Sequence, residues 1–224
     1  CPHCLRLQAL QAGRRTYSFD FDSDPDFDLD YPNMMSSNPD APVRFIIITV
    51  LPEPLASVVD SLRRKLSHLG PSFQALEYPP HITLRTGALV PQPQIPDFLS
   101  GFRQRLNGRA AFPVTISNVY FGQYTKDGSH PICALTIHES PALFELNQRL
   151  LTYTAYRIST RTAFWPHISL AYGDLDQDGL KRIEQYCQNH PESMPMHHTW
   201  TCDHVGLYVQ GEDGWEPYRV FRLK

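Results

Sequence analysis

The spacing of hydrophobic residues changes repeatedly after position 42, and each change marks an element. Val43 to Val50 (VRFIIITV) is a short, β-branched apolar run, which predicts a buried strand. The period then shifts to that of a helix. Leu55, Val58, Val59, Leu62, Leu66 and Leu69 make one apolar stripe, with Pro54 at its start and Gly70 closing it. Pro80-His81-Ile82-Thr83-Leu84 reads as a short strand. A helix is expected from about Pro96 to Asn107, with Phe98, Leu99, Phe102 and Leu106 inward, and a long strand from Phe112 to Tyr124.

The same order then recurs. Ile132 to Ile137 (ICALTI) predicts a strand, and Ser140-Pro141 a helix start with an N-cap and a first-turn proline. Leu143, Leu146 and Leu150 form that helix's stripe. Pro166-His167-Ile168-Ser169-Leu170 is a strand, Asp176 to Gln188 a helix carrying Leu180, Ile183 and Cys187, and His198 to Gln210 and Trp215 to Leu223 are strands. His81 and His167 stand 86 positions apart (167 − 81). The same shift sets Pro80 on Pro166, Ile82 on Ile168, Thr83 on Ser169, Leu84 on Leu170 and Val119 on Val205. One internal duplication accounts for this. It predicts an α+β chain of two related lobes, facing each other about a pseudo-twofold axis.

Residues 1–40 follow neither period. Aspartates occupy every second position from Asp20 to Asp30, but Pro25 interrupts the run and the glycine and glutamate of a calcium loop are missing. An acidic N-terminal arm without regular structure is expected over 1–40, and one domain over 41–224. Cys1-Pro2-His3-Cys4 is an isolated C-x-x-C. Without a second ligand pair it predicts neither a zinc site nor a redox centre. The other cysteines, Cys133, Cys187 and Cys202, are scattered and suggest a reducing compartment. No apolar run reaches the roughly 18–20 residues that cross a bilayer, and no signal-peptide pattern is visible. A cytoplasmic or nuclear protein with no membrane partner is the expectation. The net charge of −3 favours a small nucleotide or an RNA end over a long duplex.

Alternate residues of a strand share a face, so His81 lies beside Thr83 and His167 beside Ser169. If the lobes meet across a dyad, two imidazoles and two hydroxyls line one cleft. Such a set can hydrolyse a phosphodiester. One histidine takes a proton from water, the other protonates the leaving oxygen, and the hydroxyls hold the phosphate. No metal ligand set accompanies the motif, and no cofactor is expected. Two further H-x-[ST] matches, His138-Glu139-Ser140 and His197-His198-Thr199, lack the preceding proline and the apolar strand, and His197-His198 reads as surface. Arg85 shares the face of His81 if the strand stays regular. It is a candidate phosphate ligand set against a solvated rim arginine. Trp165, Tyr120, Phe121 and Tyr124 are candidate base-stacking rings set against ordinary packing.

The two motifs, His81-Ile82-Thr83-Leu84 and His167-Ile168-Ser169-Leu170, resemble the signature of the two-histidine phosphoesterase superfamily, the LigT-like proteins. The stretch Pro166 to Leu175 (PHISLAYGDL) is similar to its cyclic nucleotide phosphodiesterase branch. From Val43 onward the resemblance implies a bilobal fold with an antiparallel sheet and flanking helices in each lobe around a central cleft. It implies His81 and His167 as catalytic residues, Thr83 and Ser169 as phosphate ligands and Tyr172 as a site residue. The implied partner of the expected monomer is a nucleoside 2′,3′-cyclic phosphate or ADP-ribose 1″,2″-cyclic phosphate, opened to a 2′-type monoester. An RNA 3′-end exonuclease, a 2′,5′-phosphodiesterase and a catalytically idle nucleotide- or RNA-binding module stay open as alternatives.

Overall fold

The computed structural model describes residues 41–123, 130–151, 164–211 and 214–224. The expected acidic arm, the C-x-x-C and Tyr124 lie outside these. In order, the elements are β1 (Val43–Val50), α1 (Leu55–Ser67), a 3-10 turn (Phe73–Leu76), β2 (His81–Val90), α2 (Ile95–Leu106), β3 (Phe112–Gln123), β4 (Pro131–Ile137), α3 (Pro141–Leu151), β5 (His167–Ala171), α4 (Gln177–Asn189), β6 (Thr199–Cys202), β7 (His204–Gly211) and β8 (Gly214–Arg222). The expected bilobal α+β architecture is present as two antiparallel four-stranded sheets, ordered β2-β1-β7-β8 and β5-β4-β3-β6.

The duplication shows in the register. Val50 pairs with His81 and Thr49 with Ile82, while 86 residues on Thr136 pairs with His167 and Leu135 with Ile168. Both pairings slip at equivalent points, between Ile47 and Ile48 in one sheet and between Cys133 and Ala134 in the other. Each slip leaves one extra residue on the histidine strand, Leu84 or Leu170, and reverses the in–out alternation beyond it. Arg85 and Ala171 are consequently buried, although each lies an even number of residues from its half-buried histidine.

Two expectations are corrected. The single strand from His198 to Gln210 is two strands, because the chain changes sheets at Asp203: β6 pairs with β3 and β7 with β1. Second, a lobe is not one half of the sequence. β3, from the first half, pairs with β4 of the second, and β7, from the second half, pairs with β1 of the first. The halves exchange a strand. The helices follow the same rule, since α1 lies against β5 and α3 against β2. The core is accordingly continuous across both halves, from Phe45, Ile82, Phe98 and Phe102 to Leu135, Leu146, Ile168 and Ile183. A smaller cluster, Ile46, Ile48, Tyr208 and Trp215, covers the other face of the first sheet, with Val50 and Tyr78 packed on it.

Within the helices the apolar stripes decide what is buried. Leu55, Val59, Leu62 and Leu66 of α1 point inward, whereas Val58, counted in the stripe, is 47% exposed. Ser140 Oγ accepts the Leu143 amide at 3.4 Å, as an N-cap should. Asp176 does the same for Gly179 at 2.6 Å.

Candidate active site

The strands that carry the two histidines are the edge strands of their sheets, and they lie against each other. This brings His81 and His167 to one place, close enough for their charges to interact. Each ring is held in the same way. His81 Nδ1 donates to the Pro79 carbonyl at 2.7 Å, and His167 Nδ1 donates to the Trp165 carbonyl at 2.8 Å, two residues back in both cases. A carbonyl can only accept, so Nδ1 carries the proton and the neutral ring keeps its lone pair on Nε2. Thr83 lies on the His81 face, and its hydroxyl donates to His81 Nε2 at 3.1 Å. Ser169 occupies the equivalent position, half-buried like His167. Ile82, Leu84, Ile168 and Leu170 point into the core and anchor both strands.

The environment favours neutral imidazoles. Burial lowers His81 from its ordinary value to about 3, the Pro79 carbonyl opposes this, and the charges of Arg63 and His167 push the same way as burial. His167 is also lowered by burial, opposed by the Trp165 carbonyl.

Arg85 is not on the rim. The bulge at Leu84 turns it inward, 5% exposed, where its Nη2 donates to Asn147 Oδ1 at 2.7 Å and to the Asn147 carbonyl at 3.3 Å. Asn147 Nδ2 in turn donates to the Leu84 carbonyl at 2.7 Å. Asn147 ties α3 to the outer edge of β2, next to Thr83. Its signal in the sequence was a polar residue four positions after Leu143, on the inward face of the helix. Tyr172 lies just past the end of β5, where the chain bends. Its hydroxyl donates to the Gln74 carbonyl at 3.5 Å. The Asp174 carboxylate accepts the Phe73 amide at 3.2 Å and the Gln74 amide at 3.5 Å, so residues 172–174 dock on the 3-10 turn that precedes His81. Between them Gly173 has φ +87.

Aromatic rings flank both histidines. Trp165 stacks on His167, with centroids 4.2 Å apart and planes 25° apart, and Tyr120 meets Trp165 edge-on at 5.0 Å. These two rings are 38% and 37% exposed, while Phe121 packs on the core. Beside His81 the pair is Tyr78 and Trp215, stacked at 5.2 Å and more deeply covered. Neither ring stood out in the sequence as a neighbour of the site. The other H-x-[ST] histidines gather elsewhere, with the His138 and His197 rings 6.3 Å apart on the exposed surface. Among the described residues no three His, Cys, Asp or Glu side chains gather as a metal site, and no helix is long and apolar enough to cross a membrane.

Two antiparallel sheets, each carrying a histidine and a hydroxyl on the edge strand that meets the other sheet, define the fold of the two-histidine phosphoesterases. The chain belongs to the 2′-5′ RNA ligase superfamily, whose profile matches residues 51–214. A Halalkalibacterium halodurans protein named as a phosphoesterase is 25% identical over 179 residues, which cover 76% of this chain and 92% of that protein. Among solved structures, TT0787 of Thermus thermophilus shares the fold with a TM-score of 0.57 at 17% identity, covering 80% of this chain and 97% of the other. LigT of E. coli does so at 0.54 and 17% in its apo form, covering 82% and 98%. The structure of LigT complexed with 3′-AMP matches at 0.50 and 18%, covering 82% and 99%.

Proposed function

We propose that this phosphoesterase opens small cyclic phosphodiesters, a nucleoside 2′,3′-cyclic phosphate or ADP-ribose 1″,2″-cyclic phosphate, to a 2′-type phosphomonoester. The observation that carries the reading is the equivalent tethering of His81 and His167. Each ring has Nδ1 fixed on a carbonyl two residues back, which leaves Nε2 of each to move a proton.

In the step, His81 Nε2 takes a proton from water as the water oxygen bonds to phosphorus. The phosphorus bond to one of the two ring ester oxygens breaks, the 3′ oxygen in a nucleoside 2′,3′-cyclic phosphate, and the protonated His167 delivers its Nε2 proton to that oxygen. Each of these transfers is worth about 10²–10⁴-fold. The Thr83 hydroxyl, turned from His81 Nε2 as the water takes its place there, and that of Ser169 donate to the non-bridging oxygens, where negative charge accumulates. Nothing in the step calls for a metal ion. Trp165 and Tyr120, exposed beside His167, are the surface on which a base can stack, and LigT of the same fold has been crystallised with 3′-AMP. The openness of that pair also suits the terminal nucleotide of an RNA, which is the second reading.

The test is incubation with 2′,3′-cyclic AMP and with ADP-ribose 1″,2″-cyclic phosphate in EDTA, with products resolved by phosphorus NMR beside His167→Ala. EDTA-resistant formation of a 2′-phosphate, lost in the variant, is expected. Equal turnover by the variant would refute the mechanism. Turnover of RNA 3′ ends or 2′,5′-linked oligonucleotides alone would move the substrate to the second reading.

A further inference from the structure

The duplication breaks at one buried point of the first helix. The helix-starting prolines, Pro54 and Pro141, stand 87 positions apart (141 − 54), and on that shift the buried Val59 and Arg63 of α1 correspond to the buried Leu146 and Leu150 of α3. Arg63 is 1% exposed on the inward face of α1, among Val59, Leu62 and Leu66. A buried guanidinium is retained against a large desolvation penalty unless it is matched by fixed partners. Here Nη1 donates to the Tyr78 carbonyl at 2.9 Å.

That carbonyl begins the short segment on which His81 depends. Pro79 and Pro80 have no N–H, so the segment cannot brace itself with its own amides at those positions. Its three successive carbonyls are held from outside instead: that of Tyr78 by Arg63, that of Pro79 by His81 Nδ1 at 2.7 Å and that of Pro80 by the Leu51 amide at 3.0 Å. Arg63 is thus two carbonyls away from the imidazole it helps to seat.

We propose that Arg63 is the positioning residue that makes His81, rather than His167, the proton acceptor of the pair. The inference rests on the phosphodiesterase reading above. Among the described residues, the charged and titratable groups facing His81 are Arg63 from α1, His167 from β5 and Tyr78, whose ring centroid is 5.3 Å away. A fixed cation beside His81 disfavours its protonated form. On the other side the His167 ring stacks on Trp165, whose π face stabilises an imidazolium. Burial lowers both imidazoles, but the cation adds to this at His81, so the same duplicated motif is biased unequally, toward the base in the first half and by comparison the acid in the second.

The test is a titration of both imidazoles by nitrogen-15 NMR, without substrate, in the wild type, Arg63→Lys, Arg63→Gln and Arg63→Met, beside kcat/KM against pH. In the wild type His167 is expected to titrate at higher pH than His81. Arg63→Met should raise His81 by about one unit and carry the acid limb of kcat/KM with it. Arg63→Lys should restore both, and Arg63→Gln, which keeps an N–H donor for Tyr78 but no charge, should behave as Arg63→Met does. If Arg63→Met does not fold, the Lys and Gln variants decide. An unmoved His81 titration in a folded, uncharged variant would overturn the proposal, as would His81 titrating above His167. Loss of kcat in all three variants with an unmoved acid limb would assign Arg63 a structural role only. Absence of cyclic phosphodiester turnover in the wild type would instead defeat the function proposed above, while the NMR order would still show whether Arg63 biases the pair.

Discussion

Replacing Asn147 by alanine should be among the most damaging single changes outside the two histidines. The side chain is 1% exposed and makes two bonds of 2.7 Å, accepting from Arg85 Nη2 and donating to the Leu84 carbonyl. Alanine removes both. The Leu84 carbonyl then loses this donor beneath α3, a loss worth about 1–3 kcal/mol, and Arg85 loses a charge-assisted bond worth about 1.5–3 kcal/mol. Arg85 keeps its bond to the Asn147 carbonyl, which limits the damage. The sum, about 2.5–6 kcal/mol, corresponds to a fall in Tm of roughly 5–24 °C for a chain of this size. Urea and thermal unfolding monitored by circular dichroism read it directly. A double-mutant cycle with Arg85→Met adds a second check: the doubly substituted chain should lie above the sum of the single losses, because the guanidinium that lost its Asn147 side-chain partner has gone. A loss under about 1 kcal/mol for Asn147→Ala, or strict additivity in the cycle, would refute the view that Asn147 holds the edge of β2.

Three further outcomes are expected. Trp165→Ala should raise KM for a cyclic nucleotide by about 5- to 150-fold, the equivalent of 1–3 kcal/mol of stacking, with a smaller change for a base-free cyclic phosphate, as steady-state kinetics on the two substrates would show. Gly173→Ala should lower stability by about 1–3 kcal/mol in urea unfolding, since φ is +87 there and a Cβ would run into the Gln74 side chain. Stability should rise with pH across the window from about 3 to about 6.5. There the unfolded chain protonates His81 and the folded chain resists it, so the slope measured by urea unfolding should flatten in His81→Gln.

Much of this was legible in the sequence because the duplicated pieces are local. The P-H-I-[ST]-L strands, the Pro-led helices and the N-cap Ser140 are set by neighbours within a few residues. Features that depend on distant parts of the chain were not legible. The bulge that buries Arg85 depends on how β1 pairs with β2, and one extra residue is enough to reverse a face. The change of sheets at Asp203 depends on β3 and β1 competing for successive parts of one apolar run. Arg63 and Asn147 were visible as polar residues on apolar helix faces, at positions 63 and 147 of otherwise regular stripes. Only their partners, the Tyr78 and Leu84 carbonyls, give them a meaning.

The exchanged strands also constrain how the chain can be made. β1 is central in its sheet, between β2 and β7, and its pairing of Ile48 with Gly206 joins residues from opposite ends of the domain. As the polypeptide leaves the ribosome, one side of β1 stays open until β7 has been synthesised, and one side of β3 until β6, so neither sheet can close before the chain has passed residue 199. Folding during translation should therefore be completed late and in both sheets together. Until then the exposed edges of β1 and β3 are the surfaces that a nascent chain would have to protect.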